Sequence, residues 1–192
     1  MYRKLKLIII VSIVFTSFSY SQRYKIYEGS FENLNDIKLF KVEFNYENIQ
    51  VHGFDSEEDF LKEKMEKRKS DPEKAANFRR DWFLNREKYY NPAFVNYFNN
   101  YFKKGERKIV ADSDSQYLMK VNLTWIYPGY AIEPAKLSAT IDFIDTSNSK
   151  KLLVIHFEKV IGIEKKAIEI NEYERVIGAF EKLAKNLVIQ LK

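Results

Sequence analysis

Only two side chains among the 192 residues carry an imidazole, His52 and His156, and none carries a thiol. Two histidines and a carboxylate suffice for a metal centre. His52, however, precedes Gly53 in a turn-like stretch, and His156 sits between Ile155 and Phe157 in a strand-like run. Their separation predicts no metal site and no cofactor, with His156 half exposed on a strand. Without cysteine the chain has neither a thiol nucleophile nor a thiolate ligand. A phosphate-cradling glycine loop, a GxSxG elbow and an HExxH helix are also missing from the sequence. Carboxylates are plentiful, but they fall on charged helical stretches, so no acid pair stands out. Asp112 and Asp114 imitate the start of a calcium loop, yet the glycine and distal glutamate of an EF-hand do not follow. The expectation is that the protein is not an enzyme.

The segment with the clearest binding chemistry is Tyr127 to Pro134. It offers Tyr127, Pro128, Tyr130 and Glu133 as a candidate interaction surface. Proline stiffening lowers the entropy lost on binding, and tyrosine is enriched in interfaces. An equal alternative is a strand crossover whose tyrosines fold back on the sheet edge. A second aromatic feature is Phe94, Tyr97, Phe98, Tyr101 and Phe102, at the i, i+3, i+4, i+7, i+8 spacing of one helical face. It could be a stacking platform, but spacing this regular predicts a buried helical layer with its tyrosine hydroxyls at the boundary.

The elements that must position these residues are organised around Gln116–Tyr127. Tyr117, Met119, Val121, Leu123, Trp125 and Tyr127 alternate there with Lys120, Asn122 and Thr124, predicting a long strand with one buried face. Leu137–Phe143 and Leu152–Val160 alternate likewise, and short connections make the three an antiparallel meander. Lys38–Tyr46 is a further strand, and Lys108–Ala111 a possible short one. Gln22–Asn35 reads either as a loose arm or as an edge strand.

Three helices are expected between these strands. The first opens at Asp55–Asp59, capped by Asp55 with Glu58 or Ser56 with Asp59, and is peripheral. Ser70-Asp71-Pro72 opens the second, and Asn91-Pro92 is read as opening the third, with Gly105 ending it. A last helix, capped by Asn171 with Glu174, carries Tyr173, Val176, Ile177, Phe180, Leu183, Ala184, Leu187, Val188 and Leu191 at helical spacing. The fold class expected is α+β: a two-layer, mainly antiparallel sheet of about four strands. The C-terminal helix and the aromatic helices would cover one of its faces.

Residues 1–21 are read as a signal peptide. Arg3, Lys4 and Lys6 precede a short apolar run, and small residues at Ser19 and Ser21 suit cleavage before Gln22. The run falls short of the roughly 20 residues that span a bilayer, so no stable membrane insertion is expected once it is removed. The chain has 32 basic and 27 acidic residues. Losing the three basic leader residues leaves 29 against 27, too mixed for a nucleic-acid binder. Residues 22–36 then form a polar N-terminal arm and 37–192 a single α+β domain.

The stretches VEFNY, DSEEDF, NPAFVNYFNNYF, YLMKVNLTWIYPGY, PAKLSATIDFID and YERVIGAFEKLAKNL resemble exported proteins of Bacteroidota over about Lys38 to Leu191. Gln22 after Ser21 is similar to mature ends common in such exports. More distantly, the order strand, helix, three strands, helix resembles the α/β domains of the curli-secretion lipoprotein family and the TolB amino-terminal domain. That resemblance implies an envelope protein that binds other proteins or assembles with itself, without catalysis. The lipidation cysteine and membrane hairpins of the curli-secretion proteins are missing, so no pore is implied. The leading expectation is a non-catalytic periplasmic or secreted protein whose partner is an envelope protein or a second copy. The competing one is a small-ligand or enzymatic domain with a cleft between the aromatic helices and the wet face of the sheet.

Overall fold

The computed structural model describes residues 24–130, 133–162 and 172–192. The expected leader, the Asn171 cap and the middle of the Tyr127–Pro134 segment lie outside them. The elements are β1 (Tyr24–Gly29), β2 (Leu39–Asn45), β3 (Gln50–Val51), α1 (Glu57–Glu66), α2 (Pro72–Asn85), α3 (Asn91–Tyr101), β4 (Lys108–Val110), β5 (Tyr117–Tyr127), β6 (Lys136–Asp145), β7 (Lys150–Ile161) and α4 (Glu172–Gln190).

The α+β class stands, but the sheet has seven strands instead of four, in the order β1-β7-β6-β5-β2-β4, with β3 also on β5. Strands β3 and β4 are too short to show a period, and every residue of β1 is exposed, so its sequence does not alternate. The sheet is mixed, with antiparallel pairing over the larger part of it. Strands β5, β6, β7 and β1 pair antiparallel, whereas β2 runs parallel to both β5 and β4, and β3 runs parallel to β5. The three helices between β3 and β4 form the long crossover that a parallel return requires. The meander β5-β6-β7 is as expected.

Inward residues of four strands share one hydrophobic cluster with the helices. Phe40, Val121, Phe143 and Ile155 from the sheet join Phe94 and Phe98 from α3 and Val176, Phe180 and Leu187 from α4. The alternate strand positions carry Lys41, Lys120, Asn122, Thr140 and Asp142, all half exposed. Asn122 bonds across both neighbouring strands: Asn45 Nδ2 donates to its Oδ1 at 3.3 Å, and its own Nδ2 donates to Asp142 Oδ2 at 3.4 Å. Both helical covers therefore lie on one face, and among the described residues no α-helix covers the other.

Two backbone irregularities set the details. A β-bulge between Leu123 and Trp125 gives β5 one residue more than β6 across that step. From Met119 to Leu123 the odd residues are buried; beyond the bulge it is Ile126 that is buried, while Trp125 and Tyr127 turn outward. The expected alternation through Tyr127 is thus corrected for its last turn. The second irregularity lies between α2 and α3. Asn91-Pro92 opens α3 as expected, but without a break, because Tyr90 and Asn91 already have helical angles and a π-turn, Arg86–Tyr90, joins the two helices. Pro92 has no N–H for the i−4 carbonyl, and the wider π-turn absorbs that loss within a continuous helical run. The Asn91 side chain caps nothing; its Oδ1 accepts from Tyr46 Oη at 2.5 Å. Burial raises the Tyr46 phenol far above its ordinary range, so it remains a donor.

The remaining caps follow the sequence. Ser56 Oγ accepts from the Asp59 amide at 3.1 Å, choosing between the two expected pairs, and Asp71 Oδ1 accepts from the Lys74 amide at 3.0 Å. Among the described residues no helix is long and apolar enough to cross a membrane.

Candidate interaction surface

Strand β5 ends at Tyr127, and Pro128 blocks any extension of its ladder. Gly129 follows in the left-handed region, at φ +84°. A Cβ there would come within 2.7 Å of the Glu133 carbonyl oxygen and 2.9 Å of Arg175 Nε, so only glycine lets the backbone pass. The chain closes on itself at once. Tyr130 and Glu133 form an isolated antiparallel bridge, with the Glu133 amide donating to the Tyr130 carbonyl at 2.8 Å. Tyr127 Oη donates to Glu133 Oε2 at 2.7 Å, and Arg175 Nε from α4 donates to the Pro128 carbonyl at 3.5 Å. The bond to Glu133, together with desolvation and the charge of that carboxylate, raises the Tyr127 phenol above its usual range.

All four residues singled out from the sequence therefore meet in one loop, in different roles. Tyr127 and Glu133 hold each other, and the carbonyl of Pro128 is held by α4. Tyr130 is the one presented: it is 77% exposed, more than any other large hydrophobic residue described. Tyr127 thus folds back on the sheet edge, bonded to Glu133, whereas Tyr130 does not.

The bulge brings further residues beside the loop, and the sequence pattern missed them. His52 follows β3, its amide donating to the Ile126 carbonyl at 2.8 Å. Its ring lies 5.5 Å from Trp125 and 5.2 Å from Tyr127, edge-on to both. Lys136 Nζ stands 5.3 Å from the Tyr127 ring and Lys159 Nζ 5.7 Å from Trp125. Lys159 is itself in the left-handed region, at φ +45°, where its amide donates to the buried Ser138 Oγ at 2.9 Å. The three consecutive apolar residues Trp125-Ile126-Tyr127 were the available signal, because no strict alternation allows them. Which one turns inward depends on the register with β6.

His156 is half buried on the open face, as expected for a strand histidine. Its Nδ1 is 3.0 Å from Thr140 Oγ1 and its ring 5.8 Å from that of Tyr27. Desolvation lowers its pKa, with the charge of Glu158 opposing the shift. Among the described residues no group of three or more histidine, aspartate or glutamate side chains is placed to hold a metal ion.

A comparison with protein-family profiles gives no match, and neither does one with curated proteins. Among solved structures, the chain is similar to a PelC dodecamer from Paraburkholderia phytofirmans at 9% identity and a TM-score of 0.38, covering 84% of this chain and 95% of that one. A point variant of the same PelC dodecamer gives 11% identity and a TM-score of 0.39, covering 88% and 99%. Scores this low establish no common fold, and they place the chain in no family.

Proposed function

We propose that this chain is a non-catalytic, exported envelope protein that binds another envelope protein, or a second copy of itself, through the Tyr127–Pro134 loop. One observation carries the reading: Tyr130 is 77% exposed, while it bridges Glu133 and its neighbours Tyr127 and Pro128 are held by Glu133 and Arg175. An exposed aromatic ring on a mobile loop would lose ordering entropy on binding, whereas a ring on a pinned loop loses little. Tyrosine anchors of this kind dominate interface energetics. The aromatic and lysine side chains on the neighbouring sheet face extend the same surface. Export rests on the leader pattern of residues 1–21.

The test is chemical cross-linking in intact cell envelopes, comparing the native chain with Tyr130→Ala and identifying adducts by mass spectrometry. The expected result is a specific protein adduct that disappears in the variant while the urea midpoint of the purified protein is unchanged. The recovered chain should start at Gln22. Adducts that survive Tyr130→Ala would defeat the interface, and a chain retaining residues 1–21 would defeat the leader.

A further inference from the structure

The helical cover has its own cleft, on the flank of α3 facing α4. The aromatic stripe of α3 divides there. Phe94 and Phe98 are fully buried and Phe102 is 8% exposed, whereas Tyr101 is 41% exposed and Tyr97 half buried. Tyr97 and Tyr101 are one turn apart, as are Asn96 and Asn100, and with Ala93 they form one side of a cavity of about 390 Å³. Glu181 of α4 and Lys103 complete the lining. Among the described residues the aromatic helices pack on the face of the sheet opposite to Lys120, Asn122 and Thr140, so they line no cleft with that wet face. This cleft, between the two covering helices, is a different one.

We propose that this α3–α4 cleft binds a neutral sugar of one or two pyranose rings. The volume lies within the range of roughly 300–1,000 Å³ common for small-ligand sites. The polar groups have the chemistry of a diol receptor. Asn96 and Asn100 are exposed, and neither carboxamide has a hydrogen-bond partner among the described residues. Asn99, by contrast, is fully used, donating to the Ile109 carbonyl and accepting from its amide, each at 2.9 Å. Asn96 lies mid-helix, where asparagine is locally disfavoured, and Asn100 stands one turn on, next to the last residue of α3. Each offers two donors and an acceptor, which suits neighbouring hydroxyls, and the Glu181 carboxylate adds a strong acceptor opposite them.

Tyr101 supplies an apolar face for the C–H side of a sugar ring. Its own ring is held edge-on to Phe102 at 5.0 Å and 81°, so it is already oriented. Desolvation and the nearby Glu181 raise the Tyr97 phenol, which keeps its hydroxyl available as a donor. Lys103 and Glu181 cancel in charge, which favours an uncharged ligand. A nucleobase platform would also need a cationic groove for the phosphates, and one lysine does not make one.

The proposal is independent of the Tyr130 surface and is tested separately, by saturation-transfer NMR with maltotriose, cellotriose and diacetylchitobiose as probes. At least one is expected to receive saturation on its ring protons, with affinity falling about tenfold or more in Asn100→Leu and in Tyr101→Ala. Both residues are exposed, so an unchanged melting temperature should accompany the loss. Tyr130→Ala should bind sugar normally. No transfer to any of the three probes, transfer unchanged in both cleft variants, or tighter binding of a galacturonate trimer would each overturn the proposal.

Discussion

Glu57 sits in the first turn of α1 and accepts hydrogen bonds from two partners in the next helical segment. Trp82 Nε1 donates to its Oε1 at 2.7 Å, and Arg86 Nη2 donates to the same oxygen. The Arg86 and Glu57 side chains are only 14% and 19% exposed, and the guanidinium also lies 4.4 Å over Tyr46 and 4.8 Å over Phe83. Truncating the carboxylate would leave an indole N–H and a cation partly buried without their acceptor. Such groups cost roughly 1–3 kcal/mol, so Glu57→Ala is expected to lower stability by about 2 kcal/mol in urea unfolding. The neighbouring Glu58 makes an ideal-looking pair with Arg79 at 2.9 Å, but those side chains are 50% and 40% exposed. Glu58→Ala should therefore cost no more than about 0.5 kcal/mol. Equal costs for the two substitutions would show that the Glu57 network adds nothing beyond a surface ion pair. In the sequence the two glutamates look alike on a solvated, charged helix. What separates them is Trp82, 25 residues further along, a distance that no local pattern bridges.

At the scale of elements, α4 shows what amphipathic spacing reveals and what it omits. Its stripe was legible because apolar residues recur through the helix, and Val176, Phe180, Leu183, Leu187 and Val188 are all essentially buried. The pattern did not show its partners. Phe180 stacks on Tyr90 of the π-turn at 5.4 Å and lies 6.5 Å from Tyr46, so one ring joins α4 to the helical run and to the chain after β2. Phe180→Ala or Leu183→Ala should each cost at least about 2 kcal/mol, since large-to-small core changes lose both transfer energy and packing. An unchanged urea midpoint would remove α4 from the core. Elements defined by backbone irregularity were harder to read. Asn91-Pro92 carries the residue types of a helix start, and only the π-turn before it reveals that the helix was already under way. The bulge at Thr124 moved Trp125 and Tyr127 to the open face in the same manner, because alternation identifies a strand but not its slips in register.

For the molecule as a whole, the strands that alternate cleanly are the ones placed at the centre of the sheet. Strand β5 pairs with β6 from Tyr117 to Tyr127 on one edge and with β2 and β3 on the other, and its inward face lies in the shared core. Strand β1 pairs only with β7, through a register shift between Ile26 and Glu28, and all six of its residues are exposed. Its sequence left arm and edge strand equally open, for the same physical reason that it is weakly held: burial is what imposes alternation, and β1 has almost none. Opening β1 breaks one ladder and exposes little apolar surface, while opening β5 dismantles the sheet and uncovers the helices. Amide hydrogen exchange should accordingly be graded from the edge inward. Peptides covering residues 24–29 are expected to exchange at least about 100-fold faster than those covering 117–127, a difference of about 2.7 kcal/mol in opening free energy. The outer face of β5 will not blur this contrast, because its amides are bonded within the sheet whichever face is wet. Equal rates across the two segments would mean that β1 opens only with the whole domain, and that the single ladder to β7 holds it as firmly as the core.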